Sequence, residues 1–312
     1  MSRMTYPHLY RKFLQLLEAN DLEGLRFLLS LIDRHFPEQK DISISLNVYL
    51  LSQEEDDEKA CDLLDEALQH GVWWHPSTLD RSPFFKPLHS CKRFSIIREK
   101  NQQLFEKNRS FGIAKILYAG DETSSKGIFA IHWRGSNAED FSTFWLEHHS
   151  PYRFAFPQSS QVHGIRSFHW DDEVIAKNEL KELFQRFVND SRLSTRNMVI
   201  SGASQGGKLA IEQLLAGQIF KARGFIAVIP AIIPHTIETI KRLLQNNNWK
   251  QMKGCIITGT GDPFYEETMK LKPLFEQYQF PCLWLVVEGL GHMIPENFQE
   301  LIEKATDFIF ST

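Results

Sequence analysis

Long hydrophobic runs are missing from this chain. No apolar stretch approaches about 18 residues, so no segment reads as a membrane-spanning helix. The first residues also lack the basic-then-apolar pattern of a secretory leader, which points to a cytoplasmic protein. Cysteine is scarce: the 4 cysteines, Cys61, Cys91, Cys255 and Cys282, form no C-x-x-C pair and have no histidine at zinc-site spacing. Two fall in expected core strands and two in expected helices, which reads as reduced, packed thiols rather than a metal centre. Excess charge is missing too. Against 39 acidic residues stand 35 basic ones, and no basic run is interleaved with aromatics, which argues against nucleic acid as a partner. What the chain does have is material for a core. Of its 312 residues 42% are hydrophobic, enough for one large domain or two ordinary ones.

The most informative stretch is residues 197–217, NMVISGASQGGKLAIEQLLAG. Met198, Val199 and Ile200 suit a buried parallel strand; Leu209, Ile211, Leu214 and Leu215 recur at helical spacing, and Gly217 is a fitting stop. Gly-x-Ser-x-Gly lies across the turn between them, with Ser204 at its centre. Glycine at 202 and 206 removes the Cβ atoms that would collide with the neighbouring strand and helix. By itself the motif arises in roughly one chain of this length in ten, so it needs partners.

Those partners follow in order. Residues 253–258 and 282–287 read as buried strands, each ending in a glycine-rich turn, and the turns carry Asp262 and His292. A serine nucleophile needs a base to take its proton, and imidazole is the side chain whose charge changes nearest neutrality. A carboxylate is then needed to hold the ring in the right tautomer. Asp171 and Asp172 are rival acids, although Asp172 reads better as a helix N-cap and both precede the serine. Glu288 is a further rival, in a strand-end position more suited to packing or turn formation.

Residues 1–110 read as helical, without a convincing strand. Leu9, Phe13, Leu16 and Leu17 form one apolar stripe, and Leu22, Leu25, Leu28, Leu29 and Ile32 form a second. Residues 44–51 leave helix and strand both open. The acidic residues 54–58 precede a helix whose Cys61, Leu64, Ala67 and Leu68 face inward. From residue 111 strands and helices alternate, which predicts a mostly parallel sheet with right-handed crossovers, single helices over 172–189 (with Val174, Leu180, Leu183, Phe184 and Phe187 inward) and 264–278, and a loop over 157–170. The chain is thus expected to hold a helical domain, 1–110, and an α/β domain, 111–312. The junction Asn108-Arg109-Ser110 is no flexible linker, which predicts docking rather than tethering.

Residues 63–74, with Leu79-Asp80-Arg81-Ser82-Pro83-Phe84-Phe85-Lys86-Pro87-Leu88 and Arg93-Phe94, resemble the terminal portion of tetratricopeptide-like helical domains. Trp73, Trp74, Phe84, Phe85 and Phe94 would cap the end of such a helical stack. That resemblance implies a protein partner as one use of the domain. The second part resembles α/β-hydrolases of the phospholipase/carboxylesterase and dienelactone-hydrolase type. Its Ile131-His132-Trp133-Arg134-Gly135-Ser136-Asn137-Ala138 matches the His-Gly-x-Gly segment after their third strand. The resemblance implies Ser204, Asp262 and His292 as the triad, with backbone N–H groups of Arg134 and Gln205 as oxyanion donors. Trp133 stands where that family has glycine; with Gln158 and Trp170 it is a candidate pocket residue, and His132 would support the loop. The implied activity is cleavage of carboxylic esters or thioesters on a small-molecule substrate, with no metal or organic cofactor. A serine peptidase of the same fold, or a catalytically silent helical-repeat protein, are the alternatives.

Overall fold

The computed structural model describes residues 5–147, 151–217, 220–246 and 249–311. The chain divides into two compact units, Met1–Gly112 with Gln161–Phe168, and Ile113–Ser160 with His169–Thr312. Among the described residues no helix is long and apolar enough to cross a membrane.

The first unit is a run of helices: α1 (Tyr6–Glu18), α2 (Leu22–His35), α3 (Lys40–Gln53), α4 (Asp57–Gln69), α5 (Pro76–Arg81) and α6 (Lys92–Asn108). Each of α1 to α3 meets the next helix in the chain, and α4 meets α6. Asp21 caps α2 by accepting from the Gly24 N–H at 2.9 Å. The segment whose state the sequence left open is helix α3. It has two apolar sides: Leu46 and Leu50 join the cluster built on α1 and α2, whereas Val48 joins the one built on α4 and α6. Burial on both sides outweighs the β-branched bias of its sequence. Trp73, Trp74, Phe85 and Phe94 are all buried. The fully buried Asn101 holds Trp74 in place, accepting from its N–H and donating to its carbonyl, both at 2.9 Å.

Part of the expected loop over 157–170 belongs to this same unit. Val162 and Phe168 pair across a small antiparallel hairpin and pack into the α4–α6 cluster, while Gly164 bridges to Trp74.

The second unit is built on a seven-stranded sheet. Its strands are β1 (Lys115–Gly120), β2 (Gly127–Ile131) and β3 (Arg153–Gln158), then, beyond the hairpin strands β4 (Val162–Gly164) and β5 (Ser167–Phe168), β6 (Met198–Ala203), β7 (Gly224–Val228), β8 (Lys253–Gly259) and β9 (Cys282–Val287). The spatial order is β1-β3-β2-β6-β7-β8-β9. All pairings in this sheet are parallel except β1 with β3. The mostly parallel sheet expected from the alternation of strands and helices is what forms, with this one antiparallel pair. The exception arises because β1 and β2 are joined by a short polar turn, too brief for a parallel crossover. Helices α7 (Ala138–Trp145), α8 (Glu173–Ser191), α9 (Gln205–Ala216), α10 (Pro234–Gln245), α11 (Tyr265–Met269), α12 (Leu271–Gln277) and α13 (Phe298–Phe310) flank the sheet. This is the α/β-hydrolase arrangement.

The main core joins β2, β6, β7 and β8 to α8, α9, α10 and α12, with Phe129, Phe184, Phe187, Leu214, Phe225 and Phe275 at its heart. Two expectations need correction. Residues 264–278 are two helices rather than one, broken at Lys270: Pro273 has no N–H to offer the carbonyl of Met269, and its ring crowds that carbonyl. Val174, expected to face inward on α8, is 71% exposed, and Ala176 points into the core instead.

Candidate active site

Ser204 occupies the turn between β6 and α9 with φ 53° and ψ −115°, a backbone conformation that costs a non-glycine residue about 1–3 kcal/mol. Three hydrogen bonds hold it there. Its N–H donates to the Val228 carbonyl at 3.0 Å, and its carbonyl accepts from Lys208 at 3.0 Å and Ala231 at 3.1 Å. The flanking glycines are required by contact. A Cβ on Gly206 would lie 2.1 Å from the Ile131 carbonyl oxygen, and one on Gly202 would lie 2.5 Å from the Gly206 carbonyl. Gln205 is the first residue of α9, so its backbone N–H has no intrahelical acceptor and is left beside the serine.

His292 stands between the serine and an aspartate. Its Nε2 is 2.8 Å from Ser204 Oγ and its Nδ1 is 2.9 Å from Asp262 Oδ2. The Asp262 side chain is only 1% exposed, and its other oxygen accepts from the Phe264 N–H at 2.8 Å. With both oxygens engaged the carboxylate cannot swing, and the imidazole that faces it carries its proton on Nδ1 and leaves Nε2 open toward the hydroxyl. The two glycine-rich turns are stitched together. Gly261 N–H donates to the Leu290 carbonyl at 3.0 Å, and Gly289 N–H to Thr260 Oγ1 at 2.8 Å. Gly259 must be glycine, since a Cβ there would lie 2.1 Å from the Leu290 oxygen. Serine, aspartate and histidine thus come together at the carboxyl ends of β6, β8 and β9, the edge where open α/β sheets bind ligands.

The loop after β2 forms another wall. His132 is fully buried, its Nδ1 2.7 Å from the Trp133 carbonyl and its Nε2 3.5 Å from the Ser159 N–H. Burial pulls its pKa down to about 4, so the ring is neutral, donating from Nδ1 and accepting at Nε2. Trp133 points its indole toward α7, edge-on to Phe141 at 5.1 Å and Phe144 at 5.2 Å. Gln158 accepts from the Ala138 N–H at 3.4 Å, and Trp170 donates from Nε1 to the His132 carbonyl at 3.2 Å; both are buried. All three candidate pocket residues therefore have packing or hydrogen-bonding work around this loop.

The rival acids lie apart from His292. Asp172 caps α8, accepting from Val174 and Ile175 N–H at 3.0 Å each. Glu288 is exposed at the turn after β9. Asp171 pairs with Arg134 and accepts from Gln205 Nε2 at 2.7 Å.

Two carboxylates escaped the sequence reading. Glu179 on α8 accepts from Ser159 Oγ at 3.1 Å and from the Ser160 N–H at 3.2 Å, fixing the turn after β3. Glu212 on α9 is raised to about 7 by burial, against the pull of Lys208, whose Nζ is 3.8 Å away. On an amphipathic helix such residues look like solvated charges, and no local signal marks them otherwise.

No protein-family model matches the chain, and no curated protein does either. Among solved structures, an uncharacterized protein from Bacillus cereus is 25% identical with a TM-score of 0.52, and the match covers 98% of this chain and 99% of that one. That similarity runs across both units. Esterase PE8 is 17% identical with a TM-score of 0.49, covering 63% of this chain and 96% of its own. A carboxylesterase of Bacillus cereus is 18% identical with a TM-score of 0.48, covering 66% of this chain and 99% of its own.

Proposed function

We propose that the chain is a serine hydrolase that cleaves carboxylic esters or thioesters through an acyl-enzyme intermediate. The observation that carries this reading is the hydrogen-bonded chain from Ser204 through His292 to Asp262. In the first half-reaction Ser204 Oγ bonds to the substrate carbonyl carbon while His292 Nε2 takes its proton. Asp262 balances the imidazolium that results. The carbonyl oxygen becomes an oxyanion, stabilised by the backbone N–H groups of Gln205 and Arg134; each such donor is worth about 3 kcal/mol. Collapse breaks the bond to the alcohol or thiol, which leaves with the proton from His292. Water then attacks the acyl group by the same route and frees Ser204. These steps need no metal or organic cofactor.

The strained φ of Ser204 supports this reading, because it places Oγ clear of the sheet edge beside the free N–H of Gln205. Residues 1–110 we read as a tetratricopeptide-like domain for a protein partner; the serial packing of α1 to α4 favours this. The four thiols carry no disulfide, which suits a cytoplasmic setting. A fluorophosphonate probe tests the enzyme reading: labelling of the wild type but not of Ser204→Ala is expected, and an unlabelled wild type favours the silent scaffold. A chain-length series of chromogenic esters, with a chromogenic peptide anilide alongside, separates esterase from peptidase.

A further inference from the structure

Arg134 and Gln205, the residues assigned to the oxyanion, send their side chains to one carboxylate. Asp171 Oδ1 accepts from Gln205 Nε2 at 2.7 Å and from Arg134 Nη2. The preceding residue makes the same connection. Trp170 N–H donates to Gln205 Oε1 at 3.1 Å, and its indole Nε1 donates to the His132 carbonyl at 3.2 Å. Residues 170 and 171 therefore grip the loop after β2 on one side and the start of α9 on the other.

We propose that Asp171, assisted by Trp170, is the positioning residue that sets the distance between the two oxyanion donors. The inference rests on the reading of Ser204 as nucleophile given above. The two donors differ in what holds them. Gln205 is fixed by the helix it begins, whereas Arg134 sits in an exposed turn followed by Gly135 at φ 82°. Such donors work only within about 2.7–3.1 Å of the developing oxyanion, so the looser one needs a tie.

A carboxylate suits this role because, when ionised, it accepts from two donors at once. Burial acts to raise the Asp171 pKa, but hydrogen bonds from His169 and Gln205 and the charge of Arg134 outweigh it and hold the carboxyl well below its usual range. Arg134 also offsets a negative charge that would otherwise oppose the oxyanion. Asparagine at 171 would keep the shape and one acceptor oxygen but lose the charge that pairs with Arg134.

The test uses the full chain, a chromogenic acetate ester and an alkyl boronic acid, whose tetrahedral adduct on the serine places an oxygen where the oxyanion forms. Rates are referred to sites titrated with a fluorophosphonate, so that loss of folded protein does not count. Asp171→Ala is expected to lower kcat about 10- to 100-fold with KM nearly unchanged, and to weaken boronate binding by a similar factor. Adding Arg134→Ala to Asp171→Ala should cost little more, since both remove the same tie. If Asp171→Ala does not fold, Asp171→Leu, which keeps a branched side chain but offers no acceptor, gives the same readings. A kcat within about twofold of wild type, or a fall in kcat with boronate affinity unchanged, overturns the inference. A wild type that neither labels nor hydrolyses the ester overturns the hydrolase reading itself, and the clasp with it.

Discussion

The two units place buried polar groups to different ends. In the helical unit, Asn101 bonds both backbone groups of Trp74, and Ser45 Oγ accepts from the Trp74 indole at 3.1 Å. Those bonds tie a chain turn to its neighbours and leave nothing exposed for chemistry. In the sheet unit the buried polar residues His132, Ser159 and Asp262 gather with Ser204 near the carboxyl ends of the strands. There the hydrogen bonds through Asp262 and His292 converge on the Ser204 hydroxyl. Backbone strain is distributed in the same sense. Outside glycine, the described residues of the helical unit are left-handed only at Asn20 and Glu55, each in a turn where a helix ends, whereas Ser204 is held strained between a strand and a helix. A fold can satisfy every polar group and still do nothing; reactivity requires that one satisfied network converge on an open group.

Five substitutions test this contrast, from the largest effect to the smallest. Ser204→Ala is expected to lower turnover by about 10⁴-fold or more while thermal unfolding stays close to wild type. Residual hydrolysis at more than a trace would remove Ser204 from its role. Asp262→Asn should leave the protein folded and lower kcat by about 10⁴-fold, because an amide cannot hold the same histidine tautomer.

Glycine substitutions compare the units through stability. Gly206→Ala drives a Cβ into the Ile131 and His132 carbonyls, at 2.1 and 2.8 Å, so a loss of about 3 kcal/mol or more is expected. Gly71→Ala in the helical unit meets open space and pays only for its φ of 77°, about 1–2 kcal/mol. Urea denaturation of both variants should rank them in that order, and the reverse ranking would remove the close approach at the serine turn.

The smallest effect is a pH dependence. Glu212, raised to about 7 in the folded protein, keeps its proton there over a range where the unfolded chain has lost it. That contribution is present in full below about pH 4.5 and fades as pH rises through about 7. Glu212→Gln should flatten this slope and stabilise the protein at pH 8, on the order of 1 kcal/mol once partial exposure is allowed for. Melting curves at pH 5 and pH 8 measure it. His132 acts in the opposite sense: with its pKa lowered to about 4, stability should fall as pH drops from about 6.5 toward 4.

Legibility in the sequence followed the range of the interaction. The serine turn was readable because its causes are local: a β-type apolar run, glycines two residues either side, and a helical stripe after it. The order Ser204, Asp262, His292 was readable because each follows a strand with its own glycine-rich turn. Helix α3 was not, because its two apolar sides face different clusters and leave no single stripe. Neither was the hairpin of β4 and β5, whose partners Trp74 and the α4–α6 cluster are far away in the chain.

Asp171 shows the limit most sharply. Beside Asp172 in the sequence it is one of two equivalent acids. Asp172 accepts from the first turn of its own helix, a contact set by residues two and three positions on, and its role as a cap was legible. Asp171 bonds to Arg134 and Gln205, which lie more than thirty positions away on either side. Local spacing encodes caps, turns and strand ends, because those contacts lie within a few residues. Which of two adjacent carboxylates reaches across to join distant loops depends on how the strands are ordered in the sheet, and that was decided only when the chain folded.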